Sequence, residues 1–249
     1  LALKKLVIIP TYKEKENIQL IVDAISNLQN NYHILVIDDA SPDGTATIVK
    51  DLQQSRADFL HLIERPGKLG LGTAYIKGFK WGLERSYDYL FEMDADFSHD
   101  PKDLNRLLDA CSNGADVAIG SRYVKGGAFK NWPFKRKIIS LTGSLYSRLL
   151  TFMPVKDPTA GFVCYSSKVL QEMNLDAINF VGYAFQIEMK FAAWHLGYKL
   201  KEVPIVFQDR ELGASKMSKG IIKEAALGVL ILQLQYLSGS FMRHIRKSA

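Results

Sequence analysis

Cysteine is scarce in this chain, two residues in 249. Cys111 and Cys164 sit among apolar or small neighbours, without the spacing of metal ligands, and read as reduced core thiols of a cytosolic protein. Long apolar runs are missing as well. The longest, residues 225–232, stops at Gln233 and Gln235, and a helix needs about 20 apolar residues to span a bilayer. The run at residues 6–9 is too short for the core of a signal peptide. Membrane contact is therefore expected to be peripheral or through a small membrane-protein partner. No internal repeat, low-complexity segment or long linker is present. Two nucleotide motifs are also absent. The first apolar run leads into Pro10-Thr11-Tyr12-Lys13-Glu14, which has no glycine, and Gly67, Gly70 and Gly72 come too late and in the wrong order for a dinucleotide fingerprint. No phosphate-binding G-x-x-x-x-G-K-[ST] occurs, and no Ser/His/Asp or Cys/His set is recognisable from spacing.

What is present describes a globular α/β protein, 47% hydrophobic and 23% charged. Its net charge of +6 suits an anionic partner such as a nucleotide, a lipid phosphate or a membrane surface, although solvated surface lysine accounts for most of the excess. Nucleic acid is not among the expected partners. Leu6-Val7-Ile8-Ile9 predicts a strand, and Ile18, Ile21, Val22, Ile25 and Leu28 predict a helix after it. Ile34 to Ile37, residues 59–63, residues 90–93 and Val117 to Gly120 predict four more strands, each followed by a helix or a turn. Pro101 suits the first turn of one such helix. The later chain predicts a loop at residues 126–133, a helix that starts with Lys135, Arg136 and Lys137, a helix over residues 184–196, a strand over residues 200–207 and a closing helix from about residue 218. Strands alternating with helices imply a mostly parallel sheet covered on both faces, with the strands' C-terminal ends on one edge.

That edge would gather residues 10–14, Asp38-Asp39, residues 67–72, Asp94-Ala95-Asp96 and Ser121-Arg122. Strand ends in open sheets are where ligands sit. Asp94 and Asp96, one residue apart at a strand end, can share a hard cation such as Mg²⁺ or Mn²⁺ together with substrate phosphates. Taken alone, the same pair reads equally well as an acidic loop edge facing water.

Five motifs carry a family resemblance: Pro10-Thr11-Tyr12-Lys13-Glu14, residues 38–45 (Asp38-Asp39-Ala40-Ser41-Pro42-Asp43-Gly44-Thr45), residues 70–75, Met93-Asp94-Ala95-Asp96-Phe97-Ser98-His99, and Gly120-Ser121-Arg122-Tyr123. Residues 132–140, 157–162, 182–188 and 207–216 extend it over nearly the whole chain. Together they resemble the family 2 inverting glycosyltransferases of the GT-A fold, and within them the dolichol- or polyprenol-phosphate mannose synthases. Ala40, Ala160 and Phe97 stand where that pattern often has Gly, Ser and Leu.

The resemblance implies a GT-A catalytic domain over residues 1–217, followed by a C-terminal helix over residues 218–249. It implies that Pro10, Tyr12, Glu14, Ile37 and Asp39 hold the nucleoside of GDP-mannose, with Asp39 accepting from a ring N–H; uracil offers one too. It further implies that Asp94, Ala95 and Asp96 hold ribose, diphosphate and the divalent metal, with Asp94 and Asp96 as its ligands. Arg122, Arg210 and Lys216 would grip phosphates, and Arg136 and Ser140 would meet the phosphate of a polyprenyl acceptor lipid; Asp94, Asp96, Arg122 and Arg210 form the expected catalytic set. Ser98 is a weak candidate for a further metal ligand, and His99 reads more readily as a turn residue. A lipid monophosphate is mostly ionised near neutral pH, its second pKa being about 6, so no general base is required. The implied enzyme works at the cytoplasmic face of a membrane. Two other readings remain at this level: a UDP-glucose-dependent glycosyltransferase acting on the same kind of lipid, and a non-catalytic subunit that binds a nucleotide sugar. The closing helix is expected either to lie on the membrane or to pack on the sheet.

Overall fold

A computed structural model describes residues 3–210 and 219–247. The apolar runs form the middle of a twisted sheet. Its strands are β1 (Lys5–Thr11), β2 (His33–Asp38), β3 (Leu60–Glu64), β4 (Tyr89–Glu92) and β5 (Val117–Ser121). After these come a short β6 (Ala128–Lys130), β7 (Val163–Ser166), β8 (Leu200–Pro204) and β9 (Val206–Gln208). Seven of them form one sheet in the order β3-β2-β1-β4-β7-β5-β8, and β6 pairs with β9 in a second, two-stranded one. Every pair in the large sheet is parallel except those of β7, which runs against both β4 and β5.

Burial on both faces explains why the parallel strands read as continuous apolar runs. Leu6, Ile8, Leu35 and Ile37 face one core, and Val7, Ile9, Ile34 and Val36 face the other. The second core is closed by α1 (Ile18–Ser26), through Ile18, Ile21, Val22 and Ile25. Next in the chain come α2 (Thr45–Arg56), α3 (Leu71–Glu84) and α4 (Asp103–Ser112). Leu104, Leu107 and Cys111 of α4 join the second core, while Tyr75 and Phe79 of α3 fill the first. Helix α3 lies close against the sheet because Gly78 and Gly82 carry no side chain; a Cβ at either would stand 2.6 Å from Ile8 or Leu90.

The remaining helices are α5 (Phe134–Thr151), α6 (Ser167–Glu172), α7 (Tyr183–His195), α8 (Lys219–Leu237) and α9 (Ser240–Ile245). Helices α7 and α8 come together where Gly228 faces Ala184 and Phe180. His195 and Tyr236 stack there at 3.9 Å, and Phe191 meets Phe241 at 5.1 Å. Both cysteines are free and buried, with Cys111 Sγ 3.7 Å from the Cys164 carbonyl.

Three strand assignments differ from the sequence expectation. The stretch 200–207 is two strands, because the Ile205 N–H makes the last bond to β5, at Ser121 O, while its carbonyl accepts from Ala128 N of β6 and the chain changes sheets. Residues 128–130 form β6 inside what reads as a loop, and β7 was not foreseen. With only four residues, and an antiparallel course in a parallel sheet, β7 breaks the strand–helix alternation. Its direction matters for the site, because residues 157–162 precede it and so fall on the edge where β1, β2, β4 and β5 end.

Candidate active site at the C-terminal edge of the sheet

The first wall is built where β1 and β2 end. Asp38 accepts hydrogen bonds from Thr11 Oγ1 (2.8 Å), Ser41 Oγ (2.6 Å) and Ser41 N (2.8 Å). Asp43 binds Thr45 at the start of α2 and the N–H of Lys15. These bonds tie the loop after β2 to the loop after β1 and leave Asp39 at the wall. Pro10 and Ile37 are register partners in β1 and β2. Ile37 is wholly buried and packs into the core, so at the pocket it offers main chain only.

Asp39 has a partner that the sequence reading missed. Arg65 reaches Asp39 Oδ1 through Nε and Nη2, and Leu69 N donates to Oδ2 at 3.2 Å. Arg65 is fixed in turn by Thr73 Oγ1 (2.7 Å) and Gly70 O (3.1 Å). Oδ2 keeps acceptor capacity, since a carboxylate offers about four lone-pair sites. Asp39 is thus held and aimed. Across the mouth, the Tyr12 ring lies 4.8 Å from Lys68 Nζ.

The second wall follows β4. Asp96 is buried, its Oδ1 accepting from Ser98 N at 3.0 Å and its Oδ2 from Arg210 Nη2 at 2.6 Å. Arg210 Nη1 lies 3.8 Å from Glu14 Oε1, so one guanidinium spans the loops after β1 and β4. Glu14 is also bonded by Asn17 Nδ2 at 2.9 Å. Ala95 is buried between the two aspartates. His99 is a packing residue: its ring stacks on Phe162 at 4.8 Å and meets Phe207 edge-on at 5.1 Å, and burial pushes its pKa down to about 4. Beneath Asp94, burial pushes the fully enclosed Glu92 up to about 8, although Lys190 opposes the shift. The shift favours the protonated form of Glu92 and so lessens its repulsion of Asp94.

Asp94 and Asp96 fit a hard divalent cation by donor type, with the Ser98 hydroxyl nearby. No group of three or more His, Cys, Asp or Glu that could hold an ion stands together among the described residues. A cation here would complete its shell with substrate phosphate and water.

The third wall is cationic. Arg122, after β5, is gripped by Asp157: Nε donates to Oδ2 at 2.7 Å, Nη2 to Oδ1 at 2.6 Å, and the Arg122 N–H to Oδ2 at 3.0 Å. Thr159 Oγ1 accepts a further bond from Nη2 at 2.9 Å. Glu202 holds the main chain of this turn by accepting from Lys156 N and Asp157 N. Arg122 and Arg136 flank Trp132, at 5.9 and 4.0 Å from its ring centre. Arg136 Nη1 donates to Asp209 Oδ1 at 2.5 Å, and Ser140 Oγ accepts from Tyr123 Oη at 2.7 Å. The structure thus brings Glu14, Asp39, Asp94, Asp96, Arg122, Arg136, Ser140 and Arg210 to one edge; Lys216 lies outside the described residues. Sequence reasoning missed Arg65, Asp157 as a carboxylate partner, and Asp209.

A family model described as glycosyl transferase family 2 matches residues 6–173. The chain belongs to glycosyl transferase family 2. Among family 2 relatives, a polyprenol monophosphomannose synthase of Mycolicibacterium smegmatis is 49% identical over 226 residues, 91% of this chain and 85% of that protein. An undecaprenyl-phosphate mannosyltransferase of Micrococcus luteus is 48% identical over 227 residues, 91% of this chain and 93% of that one. Among solved structures, a Mycobacterium tuberculosis glucosyl-3-phosphoglycerate synthase in complex with Mn²⁺, UDP and its product superposes with a TM-score of 0.66. Identity is 15%, over 92% of this chain and 79% of that one. A Pyrobaculum calidifontis mannosyltransferase in complex with GDP-Man and Mn²⁺ gives 0.55 at 16% identity, over 95% and 74%. The fold class expected from the motifs, α/β of GT-A type with a mostly parallel sheet flanked by helices, is the one present.

Proposed function

We propose that this protein is an inverting mannosyltransferase that moves mannose from GDP-mannose to the phosphate of a polyprenyl monophosphate at the cytoplasmic face of a membrane. The observation that carries this reading is the gathering of two carboxylates, Asp94 and Asp96, with three arginines on one sheet edge. Two relatives at nearly half identity, named for this kind of transfer, support it.

Asp39, aimed by Arg65, accepts from the donor's base, and Tyr12 and the main chain at Ile37 border the nucleoside. A divalent cation held by Asp94 and Asp96 would supply positive charge to the diphosphate. Arg210, which links Asp96 to Glu14, stands where the leaving diphosphate gathers charge, and fixed cations there stabilise departure. On the acceptor side, Arg136 and the Ser140 hydroxyl receive the lipid phosphate. Ser140 accepts from Tyr123 and so keeps its own proton to donate. A phosphate oxygen then bonds to the anomeric carbon as the bond to the diphosphate breaks, and the electron pair leaves with the diphosphate. The acceptor dianion has no proton to lose, so the task of these residues is alignment.

The deciding experiment is transfer of radiolabelled sugar into an organic-extractable lipid, with Mg²⁺ or Mn²⁺ and polyprenyl phosphate. Label from GDP-mannose is expected. Label from UDP-glucose alone would overturn the sugar and keep the mechanism; no label from either, with nucleotide binding intact, would overturn the catalytic reading.

Helices α5 and α8 support the membrane part of the proposal. Among the described residues no helix is long and apolar enough to cross a membrane. Yet α5 exposes Ile138, Leu141, Leu145 and Leu149, and the neighbouring α8 exposes Leu230, Leu234 and Leu237. Tyr146 Oη donates to Ala226 O at 3.0 Å and joins the two helices. On α8, Val229 and Leu232 are buried. That helix therefore packs on the protein with one side and presents leucine on the other, a two-sided pattern that supports a membrane-facing role. Lys135, Lys137 and Arg148 on α5, with Arg243 and Arg246 beyond α8, suit anionic headgroups. Leu145→Glu with Leu234→Glu should cut sedimentation with anionic liposomes by at least ~10-fold, since each buried leucine contributes roughly 1.5–3 kcal/mol. Undiminished binding would remove this face from the membrane contact.

A further inference from the structure

Two of the site's arginines are held by carboxylates in opposite manners. Asp157 is wholly enclosed and takes Arg122 as a fork. It cannot leave without stranding a buried guanidinium. Asp209 and Arg136 are each 30% exposed and share one bond, from Nη1 to Oδ1. Arg136 spends one of its five N–H donors on that bond. Asp209 Oδ1 also accepts from Arg210 N at 3.2 Å, and the N–H of Asp209 is bound to Lys130 O. The backbone is anchored, and the side chain is lightly tethered. The guanidinium of Arg136 lies 4.0 Å from the centre of the Trp132 ring, a contact that supports it independently of Asp209.

We propose that Asp209 is an exchangeable stand-in for the acceptor's phosphate and sets the affinity that an incoming anion must exceed to occupy the site. The inference rests on Arg136 being the acceptor-phosphate residue. With the acceptor absent, the carboxylate neutralises Arg136. A phosphomonoester displaces it by offering two oxygens to the guanidinium fork and two negative charges against one. A monoanion, such as a carboxylate or a phosphodiester, brings no more charge than Asp209 itself and gains little by the exchange. Asp209 is therefore a positioning residue that acts through Arg136, and it raises a threshold that a phosphomonoester clears and a monoanion does not.

The test compares wild type with Asp209→Asn and Asp209→Glu. Inorganic phosphate, with acetate as the monoanion, is titrated against tryptophan emission; Trp132→Phe assigns the signal. Asp209→Asn should bind phosphate about 3–10-fold more tightly, as expected when an exposed competing ion pair and its like-charge repulsion are removed. Acetate should gain by no more than that factor, because a tethered competitor lowers the apparent affinity of every anion alike and its residual repulsion weighs more on a dianion. Asp209→Glu should restore wild-type behaviour, which a packing role would not produce. In the transfer assay, the KM for polyprenyl phosphate should fall by a similar factor. Phosphate binding that is unchanged or weaker in Asp209→Asn would overturn the proposal and make Asp209 a prop for Arg136. The anion titration needs no turnover. A wild type that transfers no sugar would overturn the functional reading while the titration still decides the role of Asp209.

Discussion

Asp157→Ala is expected to cost about 3–5 kcal/mol of stability, the range for removing one partner of a buried ion pair. The Asp157 carboxylate is 0% exposed and accepts from Arg122 Nε, Nη2 and N–H and from Thr159 Oγ1. Without it, Arg122 would be left among Tyr123, Phe129, Trp132 and Phe207, whose ring centres lie 5.4–5.9 Å from its Cζ. Those rings attract a cation but accept only weakly, and they cannot replace a fork of two charged hydrogen bonds. Asp157→Asn keeps the shape yet turns an N–H₂ toward the guanidinium, so it should also destabilise. The double change Arg122→Met with Asp157→Leu should be more stable than Asp157→Ala alone, because no unpaired charge stays buried. Urea unfolding midpoints of the three variants check the series. A loss under ~1 kcal/mol in Asp157→Ala would mean that the pair behaves as a solvated surface bridge.

What could be read in advance tracks how local the cause is. Strands β1, β2 and β4 were legible because both their faces are buried and the signal lies in adjacent residues. Helix α1 was legible because its four buried positions repeat at helical spacing. Strands β6 and β9 have three residues each and are partly exposed, so neither periodicity nor apolar content marks them. The site divides in the same way. Asp39, Asp94 and Asp96 announce themselves as carboxylates at strand ends. Their partners do not: Arg65 meets Asp39 across 26 residues, Asp157 meets Arg122 across 35, and Asp209 meets Arg136 across 73. Four arginines and several acids compete for pairing at one edge, and only the strand order and the reversal of β7 decide which acid each arginine finds. The one local hint was Asp209 next to Arg210, two opposite charges that a strand end turns to different neighbours.

Asp96→Asn is expected to lower transfer by ~10²–10³-fold, because charge stabilisation of a departing diphosphate by a bound cation is worth several kcal/mol. The fold should survive: Asp96 lies beyond the last residue of β4, and Arg210 stays close to Glu14 when the Asp96 charge is gone. Two roles could produce the loss. Asp96 could hold a divalent cation, or it could serve only to anchor Arg210 through the 2.6 Å pair. Arg210→Met separates them. If Asp96 were only an anchor, Asp96→Asn and Arg210→Met would lose activity alike and would leave the Mn²⁺ dependence of GDP binding where it is in wild type. If Asp96 is a ligand, GDP binding in Asp96→Asn becomes insensitive to Mn²⁺, whereas Arg210→Met stays sensitive and loses affinity at every Mn²⁺ concentration. Titration calorimetry of GDP with and without Mn²⁺ reads this directly, without turnover. The second outcome is expected, because Asp94 adds a second carboxylate two residues away, and a loop after a strand end is where carboxylates and phosphates can share a cation. Full activity in Asp96→Asn would remove Asp96 from the mechanism.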